Sequence, residues 1–138
     1  MAFVLDTGPL YAVLDRDDAA HQRSISLLDA SNERLVIPSP VLVEVEQLIR
    51  ARLDVETFTT LLSDIIAGDY HVENLSSMDY ARIAQICSQY RDTLVGFVDA
   101  AVLAVVERLG ETKVVTLDQR HFRMLRPRHI DALQLLPE

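Results

Sequence analysis

The strongest constraint on the fold is an alternation of short apolar runs with longer helical patterns. Apolar runs lie at Phe3–Leu5, 34–37 and Val114–Leu117, with weaker strand candidates at His71–Glu73 and Ala132–Leu136. Runs that are apolar on both faces are typical of strands buried in a parallel sheet. Because helices separate these runs, the sequence predicts an α/β/α sandwich around a central, mostly parallel sheet.

The helical patterns carry their own start and stop signals. They cover Leu10–Leu14, Ala20–Ala30, Val41–Leu53, Val55–Ala67, a segment beginning at Ser76, and Val98–Leu109. The expected caps and stops are Ser39 before Pro40, Asp54, Gly68, the pair Ser76 and Asp79, and Gly110. We found no repeat or linker, so we expect residues 1–138 to form a single domain.

Four carboxylates are predicted to meet at one edge of this sheet, where ligands of parallel sheets bind. They are Asp6, Glu44, Asp99 and Asp118. Any one of them alone has an ordinary explanation as a helix cap, although Glu44 interrupts an apolar stretch. Together, clustered carboxylates repel, so they share protons or bind hard cations such as Mg²⁺ and Mn²⁺. Such ions can support phosphodiester hydrolysis without a Ser or Cys nucleophile.

The segments around these acids resemble the PIN-domain family, and more narrowly the VapC-type toxins of toxin–antitoxin pairs. The resemblance rests on residues 3–10 (FVLDTGPL), 37–45 (IPSPVLVEV), 96–101 (GFVDAA) and 114–122 (VVTLDQRHF). It implies a PIN-like fold and a ribonuclease that uses Mg²⁺ or Mn²⁺. Its catalytic and metal-binding acids fall on Asp6, Glu44, Asp99 and Asp118, with Asp118 the least uniform position. Its supporting hydroxyls fall on Thr7 and Thr116.

The resemblance further implies an endoribonuclease toxin that cleaves RNA to leave a 5′-phosphate and a 3′-hydroxyl. The implied partners are a cognate antitoxin, whose C-terminal segment occupies a groove near the acids, and a second copy in a homodimer. Arg120 follows the last acid and is a candidate RNA-phosphate contact; the alternative is an exposed basic surface. We assign Glu46, two residues after Glu44, to a solvent-facing position, and we expect His121 to be structural or exposed.

Composition narrows the partners and the compartment. The net charge of −8 argues against broad electrostatic binding of nucleic acid, so RNA binding is expected to depend on metal and local contacts. The single cysteine, Cys87, excludes an intramolecular disulfide and is compatible with the cytoplasm. No signal-peptide pattern is present, and no apolar run reaches the ~18 residues of a membrane span.

Three other functions stay open at this stage. Asp-based phosphatases need a second Asp two residues after the first, where this chain has Gly8. A phosphoacceptor receiver domain needs an acidic pair after its first strand and a late Lys beside Pro, whereas Asp6 stands alone and no Pro follows Lys113. A catalytically silent PIN-like interaction module is disfavoured because all four acids are present.

Overall fold

Every pairing in the central sheet is parallel, as the alternating pattern predicts. The computed structural model describes residues 1–138. Its strands are β1 (Ala2–Leu5), β2 (Arg34–Pro38), β3 (His71–Glu73), β4 (Lys113–Val115) and β5 (Gln134–Leu136). They lie in the order β3-β2-β1-β4-β5, so β1 is central and its residues are all buried. The predicted α/β architecture is therefore confirmed.

Seven helices accompany the sheet. They are α1 (Thr7–Leu14), α2 (His21–Asp29), α3 (Ser39–Arg52), α4 (Val55–Ala67), α5 (Ser77–Gln89), α6 (Phe97–Leu109) and α7 (Gln119–Met124). Helix α6 is buried continuously from Ala100 to Val106 and supplies much of the core. The longest, α3, has 14 residues, and no helix has both the length and the apolar character needed to cross a bilayer.

Most of the predicted helix ends are confirmed by their hydrogen bonds. Asp54 accepts a bond of 3.0 Å from the amide of Thr57 at the start of α4. Ser76 and Asp79 form a reciprocal capping box, with bonds of 3.2 and 2.9 Å. Gly68 and Gly110 end α4 and α6 in the left-handed conformation, at φ values of 91° and 67°, which glycine adopts without a Cβ clash.

Two local predictions were wrong, and one helix was not predicted. Ser39 is not a cap: it is already helical, Pro38 takes the cap position, and no side chain caps α3. The fourth strand ends at Val115, so Thr116 and Leu117 separate it from Asp118. Helix α7 was not predicted, because only Phe122 among its six residues is buried and no amphipathic pattern develops.

Candidate acidic active site

The topology brings the four predicted acids to the carboxyl edge of the sheet. Asp6 directly follows β1, and its backbone amide donates a bond of 2.9 Å to the carbonyl of Val115 on β4. Asp118 follows the same neighbouring strand after two residues. Glu44 lies within α3, which follows β2, and Asp99 lies in the first turn of α6. Two adjacent strands and two helix starts therefore supply the acids.

Three of these acids form an electrostatically coupled group. Burial raises the pKa of Asp6 from 3.8 to about 6, and the negative charges of Asp99 and Glu44 add to that rise. Burial also raises the pKa of Asp99, to which Asp118 and Glu44 contribute. Desolvation and like charge both disfavour the ionised carboxyl, so this arrangement is costly unless a positive charge balances it.

Two threonine hydroxyls hold the acids in place. Thr116, which is fully buried, donates a hydrogen bond of 2.8 Å from Oγ1 to Oδ2 of Asp6. Oγ1 of Thr116 also accepts a bond of 3.1 Å from the backbone amide of Asp118. Thr7 donates a bond of 2.5 Å from Oγ1 to Oε1 of Glu44. Both threonines named by the resemblance thus donate hydrogen bonds to carboxylates of this group.

Asp118 lies at the outer side of the group. Its side chain is 53 % exposed, and the charges that raise the pKa of Asp6 are those of Asp99 and Glu44. Its partner is His121, whose Nδ1 lies 2.8 Å from Oδ2 of Asp118 and 3.9 Å from Oδ2 of Asp99. The sequence interpretation missed this histidine as a site residue, because its link to Asp118 depends on the unpredicted helix α7.

Two clefts flank the acids, and their chemistry differs. The first has a volume of about 660 Å³ and is mostly polar; its lining includes Arg23, Thr116, Asp118 and Arg120. The second has a volume of about 390 Å³, begins at Glu44 and is largely apolar, with Val43, Gln47, Leu75, Tyr80, Phe97 and Val98 in its wall. A long ligand bound at the carboxylates would therefore extend into the polar cleft, the apolar cleft or both.

Of the four arginines that follow Asp118, three donate side-chain hydrogen bonds within the protein and one does not. Arg123, Arg126 and Arg128 donate hydrogen bonds to Gln119, to the carbonyl of Arg123 and to Gln85, respectively. Arg120 is exposed in the polar cleft and has no such bond. Glu46 pairs with Arg50 at 2.9 Å along the surface of α3, which fits the solvent-facing position expected for it.

The donor set fits a hard divalent cation in its chemistry. All four acids offer oxygen ligands, and burial, with smaller contributions from the charges of Asp99 and Glu44, raises the pKa of Asp6. No three of the Asp, Glu, His or Cys side chains are arranged as a ready metal-binding group. Asp6 and Glu44 would hold such a cation while each accepts a bond from a threonine hydroxyl.

Comparison with known proteins agrees with this geometry. The family model described as the PIN domain matches residues 3–126, which covers most of the chain and includes all four acids. The chain belongs to the PIN domain family. The sequence-based identification is therefore confirmed, and the matched region contains all four acids.

Individual relatives of this PIN domain include named toxins. It is 29 % identical over 124 residues to Ribonuclease VapC26 of Mycobacterium tuberculosis, covering 90 % of this chain and 92 % of the relative. The crystal structure of Mycobacterium tuberculosis VapC20, described as a sarcin–ricin loop cleaving toxin, has a TM-score of 0.76 at 18 % identity, covering 82 % of this chain and 87 % of that one. VapBC2 from Rickettsia felis, bound to a promoter DNA fragment, has a TM-score of 0.71 at 18 % identity, covering 99 % and 100 %.

Proposed function

We propose that this PIN domain is a Mg²⁺- or Mn²⁺-dependent endoribonuclease that acts as the toxin of a toxin–antitoxin pair. The observation that carries the proposal is the buried Asp6, coupled by charge to Glu44 and Asp99 at the carboxyl edge of a PIN sheet. Similarity to a named VapC ribonuclease over 90 % of the chain supports the choice of RNA as substrate. We assign residues 1–138 to one PIN-like domain.

Within this proposal Asp6, Glu44 and Asp99 hold the cation, and Asp118 assists from the outer side. A divalent cation bound there would supply positive charge at the scissile phosphate and would lower the pKa of a water molecule toward neutrality. Thr116 keeps the Asp6 carboxylate oriented, and Thr7 does the same for Glu44. His121, between Asp99 and Asp118, fixes the position of the outer carboxylate. Arg120 offers a guanidinium for RNA phosphate.

The test is cleavage of cellular RNA by the purified chain, measured by gel electrophoresis with Mg²⁺ or Mn²⁺ and with EDTA. We expect fragments only with the metal, and none from Asp6→Asn or Asp99→Asn. Cleavage that survives EDTA or Asp6→Asn would refute the metal-dependent nuclease. An intact fold with no cleavage under any condition would favour the silent interaction module.

We also propose that an antitoxin encoded beside this chain inhibits it by inserting a segment into the apolar cleft that begins at Glu44. Several solved relatives are toxin–antitoxin complexes, and this cleft exposes Val43, Tyr80 and Phe97 next to the acids. Co-expression of the neighbouring partner should relieve growth arrest caused by the chain alone. Substituting Tyr80→Glu should weaken that relief; unchanged relief would exclude this cleft.

Two further features follow from the proposed toxin role. Because the substrate is cellular RNA, we propose that the protein acts in the cytoplasm. By resemblance to VapC-type toxins we propose a homodimer. Light scattering coupled to size-exclusion chromatography should give twice the mass of the 15.5 kDa chain, and a monomer mass at all concentrations would contradict the dimer.

A further inference from the structure

Two arginines from different parts of the chain face the same polar cleft without an intramolecular partner. Arg23 lies on α2 and Arg120 on α7, and both side chains are exposed. No carboxylate oxygen lies within 4 Å of either guanidinium, and neither guanidinium donates a hydrogen bond within the protein. By contrast, Arg82 and Arg108 are held in ion pairs with Glu107 and Asp79.

The acids that share this cleft do not neutralise the two arginines. Asp118 is engaged by His121 at 2.8 Å, and the Glu138 carboxylate accepts a bond of 3.5 Å from Gln134. Two lining residues of the cleft are also hydrogen-bonded to each other: Gln119 donates from Nε2 to the carbonyl of Pro137 at 2.6 Å. The guanidinium groups of Arg23 and Arg120 are therefore unpaired and exposed to solvent in this polar cleft.

We propose that Arg23 and Arg120 together bind a backbone phosphate of the RNA strand, next to the phosphate that is cleaved. The inference rests on the proposed ribonuclease function and adds Arg23 as an RNA-binding residue. Thr116 and Asp118 line the polar cleft, whereas Asp6, Glu44 and Asp99 do not. The cleft is thus adjacent to the reacting centre and separate from it. Guanidinium groups bind phosphate through paired, charge-assisted hydrogen bonds.

The overall charge of the protein makes this local site important. At a net charge of −8 the protein as a whole repels RNA, so attraction must come from a few well-placed cations. Arg16 and Arg34 are also free of side-chain partners, but neither lines a cleft beside the acids. Arg34 begins β2, and the acids lie at the carboxyl ends of the strands, so it provides a matched control.

The test measures how binding of single-stranded RNA depends on salt. A fluorescein-labelled, mixed-sequence RNA is titrated with wild type, Arg23→Ala, Arg120→Ala and Arg34→Ala, with Ca²⁺ in place of Mg²⁺ to slow cleavage. Each arginine removed from this shared phosphate should reduce the slope of log K against log salt, by at most about 0.7. We expect that reduction, with about ten-fold weaker binding at low salt, for Arg23→Ala and Arg120→Ala but not for Arg34→Ala.

A conservative variant separates phosphate binding from a structural role. Arg23→Lys keeps the charge, so it should keep the wild-type salt slope while it binds RNA less tightly than wild type. Thermal unfolding should be nearly unchanged in all variants, since the side chains of Arg23, Arg34 and Arg120 make no hydrogen bond or ion pair within the protein. If wild type cleaves RNA and Arg23→Ala matches Arg34→Ala, only this inference is overturned. If wild type neither binds nor cleaves RNA, the proposed function falls with it.

Discussion

Replacing Asp6 with asparagine should stabilise the metal-free protein while it abolishes cleavage. Burial and the neighbouring charges of Asp99 and Glu44 raise the pKa of Asp6 from 3.8 to about 6. At about 1.4 kcal/mol for each pKa unit, keeping this carboxyl ionised costs the folded state about 3 kcal/mol above pH 6. Asparagine still accepts the hydroxyl bond of Thr116, but loses about 1 kcal/mol because the acceptor is neutral. The expected net gain is about 2 kcal/mol.

The stability that Asp6→Asn gains over wild type should increase with pH. Between pH 3.8 and about 6 the folded wild type holds a proton on Asp6 that the unfolded chain has released. The stability contributed by that proton is fully present below 3.8 and is lost as the pH rises through about 6. The asparagine side chain of the variant does not titrate, so its advantage should be full at about pH 8 and vanish near about pH 4.5.

Urea unfolding in EDTA, followed by circular dichroism at both pH values, measures this difference. Asp118→Asn is the matched control, because Asp118 is largely exposed and should give little gain. Adding Mn²⁺ should then raise the unfolding midpoint of wild type but not of Asp6→Asn. An Asp6→Asn protein that is less stable than wild type at about pH 8, or a difference that does not change with pH, would refute this reasoning.

Three further outcomes follow from individual contacts. Asp99→Asn should reduce the cleavage rate about a hundred-fold or more, and Asp118→Asn only about ten-fold. The reason is that the charge of Asp99 acts on the buried Asp6, whereas Asp118 lies at the exposed side of the group. Equal losses in initial rates would contradict this ranking. Thr116→Val keeps the side-chain shape but removes the bond to Asp6, so the pKa of Asp6 should rise further; an unchanged value by NMR titration would show that the hydroxyl is unimportant. Asp79→Ala should destabilise the fold by about 3 kcal/mol, because Asp79 is buried, completes the capping box of α5 and pairs with Arg108. The exposed cap variant Asp54→Ala should cost clearly less, and similar losses of the two variants in urea unfolding would argue against the buried pair.

Features that depend on short stretches of chain were predictable from the sequence. The capping box of Ser76 and Asp79, the cap at Asp54 and the glycine stops at Gly68 and Gly110 each involve neighbours within a few residues. The apolar runs likewise predicted parallel strands, because a strand covered on both faces has no polar alternation. Order along the chain then placed the acids at one edge of the sheet.

Features that depend on distant segments were not predictable. The charge coupling of Asp6 with Asp99 requires β1 and α6 to be packed together; chain order predicted that both acids lie at one edge of the sheet, but not that burial raises the pKa of each. His121 was set aside because histidine spacing alone gave no metal-site pattern, whereas α7 turns it toward Asp118 and Asp99. Arg23 carries no signal in its neighbourhood, since its role depends on where α2 lies relative to α7.

The chemistry of the RNA ends tests the central claim most directly. Hydrolysis by a water-derived nucleophile at the carboxylate site leaves a 5′-phosphate and a 3′-hydroxyl, whereas attack by the neighbouring 2′-hydroxyl leaves a 2′,3′-cyclic phosphate and a 5′-hydroxyl. Mass spectrometry of RNA cut by the wild-type chain in Mn²⁺, quenched early with EDTA, distinguishes the two. We expect 5′-phosphate and 3′-hydroxyl ends that are absent with Asp6→Asn. Cyclic phosphate ends, or the same fragments from Asp6→Asn, would contradict catalysis by this acidic site.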